Sequence, residues 1–476
     1  MDRYKRLASN TVILALGQMG SKLLVYIMMR FYTGRLGAEG YGAVGNIVDA
    51  STLLIAVVTL AIGESIIRFG LDKNCDKSDV FSIGMKTTLC GLIIFMPFVP
   101  FIGKIGFLSE FSLLIYLYVF TGSIKSSCAL FVRSIGKIRL YAIDGLLTTT
   151  VNIALNLVFL AVFDMGVIGY VLSVVLADIA SIIFLTLSVG LTGYFKLFGV
   201  SRQMRNSMFR YCVPLIPATI MWWITNVSDS FFISGMLGQS ATGIYKAAYK
   251  FPNIIMLASG VFSQAWNMSA ITEKNSKTIA KFYNDVFNLF QTAVYVLSAA
   301  MLLMIRPVLT FMAVGEGFTG EAFRHSPMLL LAVVFTCFST FMGSIYVALK
   351  KSVRSMVTAS IGAGLNILLN WILIPIMGID GAALGTLVSY IVIFFARVFD
   401  TKKFLTMDLF PLKMAVNIAL LTGMGLIVMF LKNNIVYYTV LSVLFALIIL
   451  LNYRISISAF NFALKYMRGK NTSAKA

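Results

Sequence analysis

YCVPLIPATIMWWITNVSDSFFISGMLGQSATGIYKAAYKFPN, residues Tyr211 to Asn253, carries most of what decides the fold. An apolar segment enters behind Pro214 and Pro217, takes Asp229 through its middle and breaks between Gly235 and Gly238. A second apolar segment begins at Gly243 and brings Lys246 and Lys250 with it. Two long apolar segments joined by glycines read as membrane helices, and in such helices an ionisable side chain is costly enough to need a reason.

The whole chain resembles this stretch. Of 476 residues 59% are hydrophobic and only 12% charged, about half the charge of a soluble domain, and the mean hydropathy is +0.89. Fourteen apolar runs follow one another: Leu7–Tyr32, Tyr41–Phe69, Phe81–Ile102, Phe111–Ile135, Leu140–Phe163 and Gly166–Gly190, then Met208–Met236, Gly243–Ile271, Phe282–Val314, Pro327–Leu349, Val353–Met377, Ile379–Phe399, Pro411–Leu431 and Ile435–Tyr453. The runs do not alternate in polarity, so they predict helices and not a membrane barrel. The first run is too long for a signal-peptide core and reads as a retained helix.

The net charge of +20 is a topology signal and no nucleic-acid footprint, because the basic residues form short caps between apolar runs. Allocated to alternate sides, 29 of the 39 Lys and Arg fall on the amino-terminal side and five on the other, which places both termini in the cytoplasm. Cys75, Cys90, Cys128, Cys212 and Cys337 show no CxxC or metal spacing and read as free thiols. With His325 the one histidine, neither a histidine metal site nor a Ser-His-Asp triad has much material.

The two halves echo each other. FYTGRLGAEGYGAV from Phe31 and FISGMLGQSATGIY from Phe232 align without gaps at an offset of 201, pairing Gly42 with Gly243. NIALN (Asn152–Asn156) likewise matches NILLN (Asn366–Asn370). The pattern predicts a parallel six-plus-six repeat, 1–200 and 201–405, with two further helices over 406–456 and a basic tail over 457–476. Internal repeats around a midplane site are a transporter signature.

Helical rise places the charges. Lys22 lies roughly 15 Å in from the outer end of the first run, Asp49 and Asp229 roughly 12 Å in from the outer ends of theirs, and Lys250 about 10 Å in with Lys246 one turn nearer the outer end. Lys125 and Asp178 lie near the midplane. The offset puts Asp49 and Lys250 at equivalent places with opposite charge, predicting a central cavity whose walls differ in sign and whose cationic wall suits phosphate. The competing expectations are bland ones. Lys246 snorkels to the surface, Asp229 and Lys250 form a structural pair, Arg306 anchors at an interface, and Glu64 and Asp144 are solvated. Trp222 and Trp223 pack, or stack on sugar rings.

At YxxPLIP from Tyr211, Asn226 and Asp229 in the Trp-rich run, LG at Leu237, GIY at Gly243 and AYKxP at Ala248, the chain resembles bacterial polysaccharide flippases, the Wzx-type branch of the multidrug/oligosaccharidyl-lipid/polysaccharide exporter superfamily. FSQAWNMSAI from Phe262 and LGAEGYG extend the resemblance over nearly the whole chain. It implies V-shaped lobes around a central cavity in the cytoplasmic membrane. It also implies movement of undecaprenyl-diphosphate-linked oligosaccharide by alternating access, with no covalent chemistry and no cofactor beyond a coupling H+ or Na+. A polymerase and glycosyltransferases of a polysaccharide pathway are the implied partners, besides membrane lipids. On this reading Lys22, Lys250, Lys246 and Asp229 face the diphosphate and glycan, while Asp49, Asp178 and Lys125 couple the ion or pair charges. Ser230, where relatives often carry a basic residue, departs from the pattern, and Lys246 stands in for it. A multidrug antiporter and a lipid II flippase are the alternatives within the superfamily. A membrane-embedded glycosyltransferase or polysaccharide ligase is the alternative outside it.

Overall fold

The computed structural model describes residues 26–272, 279–318, 322–349, 351–405, 407–431 and 433–472. All regular elements among them are helices, and eleven spans are long and apolar enough to cross a bilayer. The chain is an all-α, multi-pass membrane protein. Most of the first run, with Lys22, lies outside the described residues. The helices over the seventh and eighth runs are not among the eleven spans.

The chain divides into two compact units, one formed by Met1–Lys246 with Ala313–Phe318 and the other by Ala247–Met312 with Thr319–Ala476. The first holds α1 (Met29–Val58), α2 (Ile62–Gly70), α3 (Lys77–Phe95), α4 (Ser112–Ser134), α5 (Ile138–Asn156), α6 (Gly166–Val189), α7 (Arg202–Cys212), α8 (Ile216–Leu237) and most of α9 (Gln239–Lys250). The second holds α10 (Asn253–Thr272), α11 (Ile279–Met312), α12 (Ser326–Ala348), α13 (Ser352–Met377), α14 (Ile379–Thr401), α15 (Pro411–Phe430) and α16 (Asn434–Thr472).

In the first unit α4 is the hub and packs against α1, α2, α3, α5 and α6. Its core gathers Ile62, Phe81, Phe131, Met208 and Cys212, with the Phe81 and Phe131 rings 4.7 Å apart. The second apolar run is one stretch in sequence but breaks in the structure. Leu60 and Ala61 take left-handed backbone angles, φ 52° and 50°, and separate α1 from α2. Such angles are unusual for non-glycine residues, and neither Gly nor Pro marks the spot. A second irregularity sits at Gly37, whose φ of 65° and ψ of −175° kink α1. The kink is held by the inserted segment, since the Ala38 amide donates to the Glu316 carbonyl at 2.7 Å and the Val314 amide to Thr33 Oγ1 at 3.3 Å.

In the second unit α12 is buried along almost its whole length, as expected of a helix apolar on every side. Trp266 of α10 stacks on Phe341 with centroids 5.1 Å apart, and its Nε1 donates to Ser344 Oγ at 2.7 Å. α15 and α16 join α11 through Asn452, which donates to Asn417 Oδ1 at 2.8 Å and whose own Oδ1 accepts from Thr292 at 3.2 Å.

The asparagine echo folds alike in both units. In α5 the Asn156 amide donates to Asn152 Oδ1; in α13 the Asn370 amide donates to Asn366 Oδ1 at 3.2 Å. Each ladder precedes a helix break, a π-turn over Leu157–Val162 in the first unit and Gly378 at φ 62° in the second. Each break is followed by the partner of a tight hairpin, α6 on α5 and α14 on α13.

Candidate functional site

The glycines of the longer echo meet in space. A Cβ on Gly42 would overlap the Gln239 carbonyl, and one on Gly243 would overlap the Ala38 carbonyl. α1 and α9 therefore cross backbone against backbone, a contact that only small residues permit. From this crossing, one face of α1 runs along α8 and α9. Asn46 Nδ2 donates to Ser234 Oγ at 2.5 Å, and Ser234 bonds Thr242 Oγ1 at 2.6 Å. One turn on, the Lys246 ammonium donates directly to Asp49 Oδ2.

This pair is closely supported. A Cβ on Gly45 would overlap the Lys246 methylenes, so the missing side chain makes room for the lysine stem. Trp223 Nε1 donates to the Asp49 carbonyl at 2.9 Å, while its ring packs on Phe231 at 5.1 Å. Asp229 is 2% exposed and accepts from Tyr245 Oη at 2.7 Å, placing a second carboxylate beside the residue that precedes Lys246. The side chains of Lys246 and Asp49 are 17% and 22% exposed, so the pair is shielded but reachable.

A second constellation lines a cavity of about 580 Å³ inside the same unit, walled by α1, α4, α5 and α6. Lys125 Nζ lies 3.3 Å from Asp178 Oδ1, and Gly122, one turn before Lys125, faces the same carboxylate, its position for a Cβ 3.6 Å from Oδ2. Asp144 lines the cavity and is 2% exposed, accepting from Ser181 Oγ at 2.6 Å. Asn152, Tyr118 and Tyr170 supply further polar lining. With both carboxylates and the ammonium ionised, the cavity carries one net negative charge.

The structure thus brings Lys125 to Asp178 and Lys246 to Asp49. It corrects two expectations. Lys246 turns to Asp49 instead of snorkelling, so the acidic wall is neutralised from α9. Asp144 is buried, because α6 crosses over it and Ser181 covers its carboxylate. Of the tryptophans, Trp223 packs on Phe231, one of the two expectations for it, and Trp222 is 58% exposed. Glu64 is exposed as expected, and Arg306 lies over the rings of Phe323 and Tyr437 at 5.3 and 5.1 Å. Lys250 ends α9 and is half-buried; Lys22 lies outside the described residues. Sequence reasoning passed over Tyr245 and Asn46, whose only signal was a polar group in an apolar helix. Among the described residues, no three His, Cys, Asp or Glu side chains group closely enough to hold a metal ion.

Comparison with known proteins agrees with this architecture. Residues 7–266 match the profile of the family described as polysaccharide biosynthesis protein, Polysacc_synt. An uncharacterized membrane protein of Methanocaldococcus jannaschii, MJ1375, is 21% identical over 414 residues, covering 83% of this chain and 97% of that one. Among solved structures, the lipid II flippase MurJ in an inward closed conformation superposes with a TM-score of 0.72 at 14% identity, covering 94% of this chain and 99% of its own. An inward-facing multidrug resistance MATE family transporter of the MOP superfamily gives a TM-score of 0.66 at 15% identity, covering 82% and 98%. The fold is the one these transporters share, and the match over more than half of its length makes the chain a member of the polysaccharide biosynthesis protein family.

Proposed function

We propose that the protein is a flippase that moves prenyl-diphosphate-linked oligosaccharide across the cytoplasmic membrane by alternating access, as in the Wzx-type branch of the superfamily. Family membership supports a polysaccharide cargo, and the fold shared with a lipid II flippase supports a lipid-linked one. The observation that carries the reading is the lysine held in the α1–α9 seam, a flexible cation in a membrane helix, shielded yet reachable. Lysine suits phosphate as a movable point charge where an arginine fork would clamp it. On this reading Lys246, Lys250 and Lys22 serve the diphosphate, and the glycan travels in water while the prenyl chain stays in lipid. The Lys125–Asp178–Asp144 cavity, with two carboxyl groups to one ammonium, serves an H+ or Na+ gradient. Both termini face the cytoplasm, and partner enzymes build and polymerise the glycan.

A leaflet-accessibility assay tests the reading. Proteoliposomes are loaded with fluorescent prenyl-diphosphate-linked sugar on one leaflet, and an impermeant quencher reports its appearance on the other. Purified protein should accelerate the exchange, and a Lys250→Ala/Lys246→Ala variant should not. Exchange no faster than in empty vesicles refutes it. The acidic cavity favours a second reading, a cation antiporter. Efflux of a cationic dye down an imposed proton gradient, without flipping of the labelled sugar, would establish that one instead.

A further inference from the structure

We propose that the Asp49–Lys246 ion pair is an exchange switch. The diphosphate of the cargo and the Asp49 carboxylate compete for one ammonium, so that cargo binding obliges Asp49 to take up one cation. The inference rests on the diphosphate reading above and goes beyond it by assigning where and why an ion enters the cycle.

Three observations carry it. The Lys246 ammonium is already committed, because it contacts Asp49 Oδ2 directly. A phosphate oxygen gains that cation only by displacing the carboxylate. The two partners also differ in mobility. Asp49 sits in the body of α1 with its carbonyl fixed by Trp223 at 2.9 Å. Lys246 reaches it along a four-carbon stem laid in the groove that Gly45 leaves open, so it is the lysine that swings. The pair is finally partly shielded, its side chains 17% and 22% exposed, so an Asp49 left without its ammonium is only partly compensated by solvent.

The groups that face Asp49 decide what happens when Lys246 leaves. Lys246 comes from α9, Tyr118 faces Asp49 from α4 and interacts with Asp178 as well, and Trp223 comes from α8. Behind Tyr118 the one ammonium, Lys125, is paired with Asp178, with Asp144 in the same cavity. Asp229 is held by Tyr245. Among the described residues, two carboxylates and one committed ammonium stand behind Asp49, Lys125 being the one lysine that lines that cavity. The charge balance is simple. Before binding, Asp49 and Lys246 sum to zero. Once Lys246 pairs with the diphosphate, Asp49 carries −1 and returns to neutrality by taking one H+ or one Na+.

The test is binding of undecaprenyl diphosphate to the purified full-length protein between pH 5.5 and 8.5, with and without Na+. One proton taken up per ligand makes affinity rise by up to about tenfold for each unit that pH falls. The diphosphate's own titration affects every variant equally and cancels in the ratio to Asp49→Asn. In wild type, affinity should rise at low pH, or with Na+ at high pH, relative to Asp49→Asn. Asp49→Asn should bind at least about tenfold more tightly than wild type at pH 8.5, since the competitor is gone, and should be insensitive to Na+. Should Asp49→Asn fold poorly, the neutral pair Asp49→Asn/Lys246→Gln leaves no lone charge and should bind weakly without the wild-type ion dependence. Wild-type dependence persisting in both variants overturns the exchange and leaves the cargo assignment standing. A wild type that binds no undecaprenyl diphosphate under any condition overturns both.

Discussion

Replacing Gly243 with alanine tests whether the repeat glycines organise the site. The glycine lies where α9 meets α1, and an added Cβ would overlap the Ala38 carbonyl oxygen. Backbone cannot rotate aside as a side chain can, so relief requires the two helices to separate by about 1 Å, and overpacking of that kind costs roughly 1–3 kcal/mol. Alanine returns about 1 kcal/mol of helix propensity over glycine, leaving a net loss of up to about 2 kcal/mol. Gly423 in α15 is the control, because nothing lies within 4 Å of its added Cβ, and Gly423→Ala should be neutral or stabilising by up to about 1 kcal/mol. Thermal unfolding of the detergent-purified protein, at one scan rate, ranks the three as Gly423→Ala at or above wild type and Gly243→Ala below. Separation of α1 from α9 also stretches the Asp49–Lys246 contact, so Gly243→Ala should slow leaflet exchange. A Gly243→Ala protein as stable and active as Gly423→Ala would refute the close crossing.

Other expectations follow from the charged groups. Lys125→Met strands Asp178, whose side chain is 7% exposed against 29% for the lysine. Breaking a fully buried pair costs about 3–5 kcal/mol; the partial exposure of Lys125 reduces this to roughly 1–3 kcal/mol, and Lys125→Met/Asp178→Asn should recover most of it in the same unfolding assay. Tyr245→Phe removes the hydroxyl on Asp229 and should lower stability by about 1–3 kcal/mol, with a further loss of leaflet exchange if Asp229 serves the cargo. Outside the membrane spans, Lys196 donates to Asp76 at 2.5 Å and Asp79 at 2.8 Å. Its hydrogen bond to Asp76 holds that carboxyl below its ordinary range and raises the lysine above its own. The carboxylate's contribution is present above its unfolded titration range and lost as pH falls through the lowered folded value. The lysine's contribution is present below its unfolded range and lost as pH rises through the raised folded value. Hydrogen-exchange protection over residues 76–82, taken relative to the intrinsic amide rate at each pH, should therefore be steady near neutrality and fall at both extremes, and Lys196→Met should remove both changes.

Much of the fold was legible because its determinants are local. Apolar runs of bilayer length need no partner to be recognised, and the offset of 201 was visible in the glycines before it was visible as a contact. The asparagine ladders were legible for the same reason, as an i, i+4 pair on one helix face. The breaks at Leu60 and Ala61 were not, since no residue there requires a left-handed backbone. The docking of residues 313–318 onto the α1 kink was hidden as well, because it joins segments nearly three hundred residues apart.

Sequence alone determined that this is a helical membrane protein built on a repeat, and that its intramembrane carboxylates and lysines would need partners. That follows from the cost of an unpaired charge in hydrocarbon, which holds whatever the fold. Which carboxylate meets which lysine was a tertiary decision. Asp49 takes Lys246 because Gly42 and Gly243 let α1 and α9 touch along their backbones, and that contact sets the register of every residue farther along both helices. Asp144 is buried because α6 crosses it at Ser181. Pairing depends on crossing points and registers, and these are properties of packed helices that no single run contains.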